Sequence, residues 1–181
     1  METRFEELRY PDCKDPDSYK SGLEFQDFVV DLLRERLGIV ITNYQSRLFQ
    51  FGTGENRQGI EIKLDRDILR TGRVSIEIAE KARAANPYYV PSGIYRNDNS
   101  WLYIQGNWDI VFIFPKSYLR LLHRSGRYPA DSLPTLQRFL LPLDDAKRYA
   151  AKVIELNTDE IKLERWEASV RYQLDQSRTR R

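Results

Sequence analysis

Two segments near the middle of the chain alternate apolar with ionisable residues: Gly59-Ile-Glu-Ile-Lys-Leu-Asp65 and Val74-Ser-Ile-Glu-Ile-Ala-Glu-Lys81. A period of two marks a half-buried strand. It predicts Glu61, Lys63 and Asp65 on one face of the first segment, and Glu77, Ala79 and Lys81 on one face of the second. Between them Thr71-Gly72-Arg73 reads as a turn that lets the strands pair antiparallel. Carboxylates and a lysine would then share one sheet face, where like charges repel unless they bind something between them. The pattern therefore points to a metal site. Its bland alternative is an amphipathic hairpin with Glu–Lys pairs on a solvated face.

Elsewhere the pattern predicts helices at both ends and strands between. From Ser18, Phe25, Phe28, Val29, Leu32 and Leu33 recur at helical spacing, and Gly38 suits the C-terminal cap. Glu24 falls at the edge of that apolar stripe, and Ile39 to Tyr44 suits a short strand. Residues 45–58 show no clear period, and 82–86 offer one helical turn before Pro87 and Pro91 break regular structure. Trp101 to Ile104 and Asp109 to Phe114 read as strands joined through Gln105 to Asn107, the second apolar throughout as a central strand should be. Pro115 opens a helix through Leu122, and 125–137 reads as a loop. Phe139 to Leu143 suits a last strand. Asp144 would cap a helix from Ala146 to Val153, and a final amphipathic helix is predicted over Asp159 to Leu174, with Trp166 on its apolar stripe. The order predicts one α/β domain over 1–181, with a core at about 18–122 and a C-terminal helical elaboration at about 144–176.

Composition changes this picture little. A chain of 181 residues with 41% hydrophobic and 31% charged residues is ordinary for a soluble globular domain. The formal net charge of +2 permits a nucleic-acid partner without demanding one. Arg171, Arg178, Arg180 and Arg181 crowd the carboxyl end, where a solvated tail is the simplest reading. The lone Cys13 and lone His123 exclude an internal disulfide and a zinc framework, which suits a reducing compartment. No apolar leader or span-length run is seen, so the expectation is a cytoplasmic protein with no membrane partner. A catalytic triad would have to use His123, yet Leu119-Arg-Leu-Leu-His-Arg124 reads as a helix end, where histidine is a favourable charge–dipole placement.

With Glu61 in Gly-Ile-Glu, Glu77 in Ser-Ile-Glu-Ile-Ala and Glu24 on a preceding helix, the chain resembles the PD-(D/E)XK superfamily of restriction-endonuclease-like nucleases. That family carries an acid on one strand and acid-x-lysine on the next, and the 16 residues from Glu61 to Glu77 leave room for the hairpin. The resemblance covers roughly residues 20–120 and implies a mixed β-sheet flanked by helices, with the C-terminal helices as additions. The lysine position of the motif holds Ala79, so Lys81 is the first substitute and Lys63 the second. A second register takes Glu61-Ile-Lys63 itself as acid-x-lysine with Glu55 upstream. Six residues leave little room for a hairpin there, which ranks it behind.

The activity implied is a DNA endonuclease that leaves 5′-phosphates. Its cofactor would be Mg2+, with Mn2+ substituting, held by Glu61, Glu77 and the Ile78 carbonyl, with Glu24 completing the site. Phosphate contacts would come from Arg57, Arg66, Arg70, Arg73 and Arg83. Arg96 and the aromatic residues Tyr88, Tyr89, Tyr95 and Trp101 are further candidates for bases or sugars. Two cuts on a duplex favour a homodimer. The competing reading is a catalytically inactive nucleic-acid-binding module on the same fold, disabled at Ala79; an RNA-directed nuclease or toxin is a third.

Overall fold

Residues 16–42 and 54–156 are described in the computed structural model, which places the predicted first helix as α1 (Pro16–Leu37). Phe25, Val29, Leu32 and Leu33 form its buried stripe. Gly38 adopts φ 66° and returns its N–H to the Arg34 carbonyl at 3.0 Å, the left-handed cap expected of it. Residues 39–42 form no strand, although one was expected from Ile39; Ile41 alone tucks into the core.

The chain continues as β1 (Ile60–Leu64), the short α2 (Ile68–Thr71), β2 (Arg73–Glu80) and β3 (Val90–Pro91). A 3-10 turn at Gly93–Tyr95 leads to β4 (Leu102–Gly106), β5 (Ile110–Pro115) and α3 (Lys116–Arg124). Then come β6 (Ala130–Ser132), β7 (Leu136–Pro142), α4 (Leu143–Tyr149) and β8 (Lys152–Glu155). The architecture is mixed α/β, with two four-stranded sheets among the described residues. Two expectations change here. The 125–137 segment contains β6 and the start of β7 rather than a plain loop, and the helix after Asp144 ends at Tyr149, so that β8 stands where its last turn was predicted. The helix predicted over 159–174, Trp166 within it and the basic carboxyl end lie outside the described residues.

The main correction concerns pairing. β1 and β2 do not form a hairpin. The first sheet runs β1-β4-β5-β8, with β1 parallel to β4 and the remaining pairs antiparallel. The second runs β3-β2-β7-β6, antiparallel throughout. Ile68, fully buried on α2, and Gly72 at φ 64° carry the chain out of one sheet and into the other instead of folding it back.

One face of the first sheet, with Ile60, Ile62, Ile104, Val111 and Ile113, packs on α1. The other, with Tyr103, Phe112 and Phe114, packs on Val74, Ile76, Phe139 and Leu141 of the second sheet. Burying each such side chain is worth about 1.5–3 kcal/mol. Alternation along β1 follows at once: with Ile60 and Ile62 toward α1, Glu61 and Lys63 must point toward the second sheet. The charged face of β1 is an inner face.

Candidate active site

Glu61 is 1% exposed, and each of its carboxylate oxygens meets an ammonium group: Lys116 Nζ at 2.7 Å from Oε2 and Lys63 Nζ at 3.2 Å from Oε1. Lys116, the first residue of α3, is itself buried and also lies 3.5 Å from Asp98 and against the Ser100 hydroxyl. Asp98 accepts the Ser100 amide at 2.9 Å and has Arg96 Nε at 3.9 Å.

Lys63 reaches a second carboxylate, Glu55, at 3.7 Å. Glu55 is brought there by the loop ahead of β1. The buried Asn56 accepts the Ile60 amide at 2.9 Å and donates to its carbonyl, while Glu55 accepts the Ile62 amide at 3.1 Å. Gly59 turns this loop at φ 72°, where a Cβ would stand 2.5 Å from the Asn99 carbonyl oxygen. No hairpin is needed to bring Glu55 back beside Glu61, so the argument that six residues are too few does not hold.

Glu77 approaches from the second sheet. It takes a hydrogen bond from the Ser92 hydroxyl, and the backbone of Gly93 lies so close that a Cβ there would be 2.4 Å from the Glu77 carbonyl oxygen. Its charge acts on both Lys63 and Tyr103. Tyr103, paired with Glu61 across β1 and β4, is fully buried, and its hydroxyl lies against the Glu77 backbone.

The electrostatics divide the carboxylates. Burial alone would raise Glu61, but Lys63 and Lys116 overcome it and hold its pKa below the ordinary value. Burial raises Glu55, Lys63 opposes without cancelling it, and the neighbouring Glu61 charge adds to the rise. Burial would lower Lys63, yet Glu61, Glu77 and Glu55 drive it well above its ordinary value. Burial, then Glu61 and Glu77, push the Tyr103 phenol up. Glu55, Glu61 and Asp98 thus surround Lys63 and Lys116, and the Glu77 charge also acts on Lys63. Buried ion pairs are poor sources of net stability, and strongly perturbed groups cluster at functional sites.

Of the residues singled out in the sequence, Glu61, Lys63 and Glu77 come together, with Glu55 from the second-ranked register. Lys81 does not join them. A β-bulge between Glu77 and Ala79 resets the alternation of β2, so that Glu77 opposes Arg138, Ala79 opposes Gln137 and Glu80 opposes Leu136. Glu80 rather than Lys81 is therefore in step with Glu77, and the Lys81 ammonium lies over the Tyr89 ring at 4.2 Å. Glu24 is exposed on α1, 4.0 Å from Lys20, and takes no part. The Ile78 carbonyl accepts the Ser92 amide at 3.2 Å.

The cationic candidates Arg57, Arg66, Arg70, Arg73 and Arg83 are all exposed, and Arg70 and Arg73 also line a cavity beside Asp65. The aromatic candidates do not form one patch: Tyr88 is exposed, Tyr89 donates to the Leu133 carbonyl, Tyr95 contacts His123 at 2.8 Å and Trp101 donates to the Gln58 carbonyl. His123 lies in the last turn of α3, as its sequence context predicts. Lys116, Asp98, Ser92 and Tyr103 were not foreseen. The one local signal was a lysine directly after the apolar run that ends at Pro115.

The donors suit a hard divalent cation in kind: they are buried or half-buried carboxylate oxygens. No ready cage of three acidic, His or Cys groups exists among the described residues. Direct ligation would therefore rest on Glu61 and Glu77, in keeping with Mg2+, which takes one or two carboxylates plus water and phosphate. No family model matches the chain. Neither the curated proteins nor the solved structures yield a match. No helix among the described residues is long and apolar enough to cross a membrane.

Proposed function

We propose that this chain is a metal-dependent nuclease that hydrolyses DNA phosphodiester bonds to leave 5′-phosphates. The observation that supports it is the closing of Glu55 and Glu61 on Lys63 at 3.7 and 3.2 Å, with the Glu77 charge adding to hold that lysine cationic in a carboxylate-rich interior. Glu61 and Glu77 would hold Mg2+, or Mn2+ in its place, and the ion supplies Lewis-acid charge at the phosphate. Lys63, with its pKa driven upward, is no base. Its ammonium stabilises the negative charge that builds on the phosphate oxygens. Glu55, the carboxylate with the raised pKa, takes the proton from the attacking water. The water oxygen bonds to phosphorus, the P–O3′ bond breaks, and the departing O3′ takes a proton from solvent. Lys116 keeps Glu61 ionised and aimed, a positioning role. A homodimer would give two such cuts on a duplex.

One observation favours the second reading, a nucleic-acid-binding module without activity: both Glu61 oxygens already carry lysines. Cleavage of supercoiled plasmid by purified protein with Mg2+ or Mn2+, against EDTA, separates the two. The nuclease nicks or linearises plasmid only with metal, and Glu77→Gln loses cutting by about 100-fold or more. No cutting with either metal, alongside a gel shift that survives EDTA, would establish the binding module.

A further inference from the structure

Just past the end of β1, two residues beyond Lys63, Asp65 borders a cavity of about 430 Å³ lined also by Asp67, Arg70, Thr71, Arg73, Ser75, Arg138 and Leu140. That volume falls within the range of small-ligand sites, about 300–1,000 Å³. Its lining is polar and braced. Arg138 is fixed by Asp131 through Nε at 2.8 Å and Nη2 at 3.2 Å, and by the Ser75 hydroxyl through Nη1 at 3.2 Å. Arg70 is held through Nε by Asp67 at 2.9 Å.

Those contacts leave N–H donors on both guanidinium groups, since each carries five. Arg73 forms no ion pair among the described residues. Asp65, one of the lining acids, is turned toward the protein's own amides. Its Oδ1 accepts the Asp67 amide at 3.2 Å, and its Oδ2 accepts the Ser75 amide at 2.9 Å and approaches Gln105 Nε2 at 3.5 Å. The cavity therefore presents guanidinium donors from three arginines, of which Arg138 is held in place by Asp131 and Ser75, while Asp65 is engaged by backbone amides.

We infer that this cavity is the seat for the phosphate next along the strand from the one at the Lys63 centre. Asp65 follows directly on β1, two residues after Lys63, so the cavity borders the strand end that carries the Lys63 centre. A guanidinium fork is the geometry that phosphate oxygens favour, and that of Arg138 is held in place. The inference rests on the nuclease reading for the strand that passes, but the cavity is a binding element and needs no chemistry to be observed.

The test is fluorescence anisotropy of a fluorescein-labelled 20-base-pair DNA duplex in EDTA, across a range of salt, for wild type, Arg73→Ala, Arg70→Ala/Arg73→Ala and Lys152→Ala. Lys152 lies on β8, at the far edge of the first sheet. The expected result is about 3- to 10-fold weaker binding for Arg73→Ala and a larger loss for the double variant. The slope of log affinity against log salt should become shallower by about 0.9 per lost phosphate contact, with Lys152→Ala close to wild type. Wild-type binding that neither arginine variant changes would overturn this inference and leave the nuclease reading standing. Absence of wild-type binding at any salt would likewise overturn this inference, whereas the nuclease reading is decided by plasmid cleavage with metal.

Discussion

At the scale of the residue, Lys116 carries the least replaceable contact. Its buried ammonium bridges Glu61 and Asp98, so Lys116→Met takes a cation from each of two buried carboxylates and should lower stability by about 3–5 kcal/mol in chemical denaturation. Glu24→Gln, on an exposed face, should stay within about 0.5 kcal/mol and leave cleavage unchanged. The pH dependence follows from the two shifted glutamates. Glu61 is lowered in the fold, so its stabilisation is present above its ordinary 4.5 and is lost as pH falls through the folded value. Glu55 is raised, so ionising it works against the fold as pH climbs above 4.5 through its folded value. Glu55→Gln keeps the neutral form. It should match wild type in stability at the acid end of that window, exceed it progressively toward neutrality, and lose cleavage; denaturant titrations at several pH values read the first two. Glu61, Lys63 and Glu77 were legible because alternation announces a charged face. Lys116 and Asp98 were not, because a helix start and a distant loop deliver them and no local period marks either.

At the scale of the element, the strands themselves were legible and their partners were not. Alternation reports which face a side chain takes, but pairing depends on contacts far along the chain. β2 pairs with β7, whose Arg138 stands opposite Glu77, and the Leu143 amide at the head of α4 closes on the Gly72 carbonyl at 2.9 Å. The apparent turn at Thr71-Gly72-Arg73 is thus the exit from α2 into another sheet. The bulge at Ile78 is equally silent in sequence, and it is what removes Lys81 from the site. Gly93 shows how tightly the second sheet positions Glu77. It sits at φ 52°, and an added Cβ would meet the Glu77 backbone. Gly93→Ala should therefore cost about 1–3 kcal/mol from the strained backbone alone. It should also shift Glu77 and reduce cleavage, a combination that melting curves and plasmid assays on the same preparation would show.

At the scale of the molecule, the α/β class followed from the order of periodic segments, whereas the layering did not. An amphipathic strand normally turns its charged face to water, and β1 turns it inward, because its apolar face is already taken by α1 and the second sheet covers the other. The site is therefore a seam between two sheets rather than the surface of one hairpin, and its central lysine is Lys63. Plasmid cleavage in Mg2+ by Lys63→Met beside Lys81→Met tests that placement most directly. The account predicts a loss of about 100-fold or more for Lys63→Met and cutting within about 3-fold of wild type for Lys81→Met. A wild-type protein that cuts, with Lys81→Met inactive and Lys63→Met unimpaired, would contradict it.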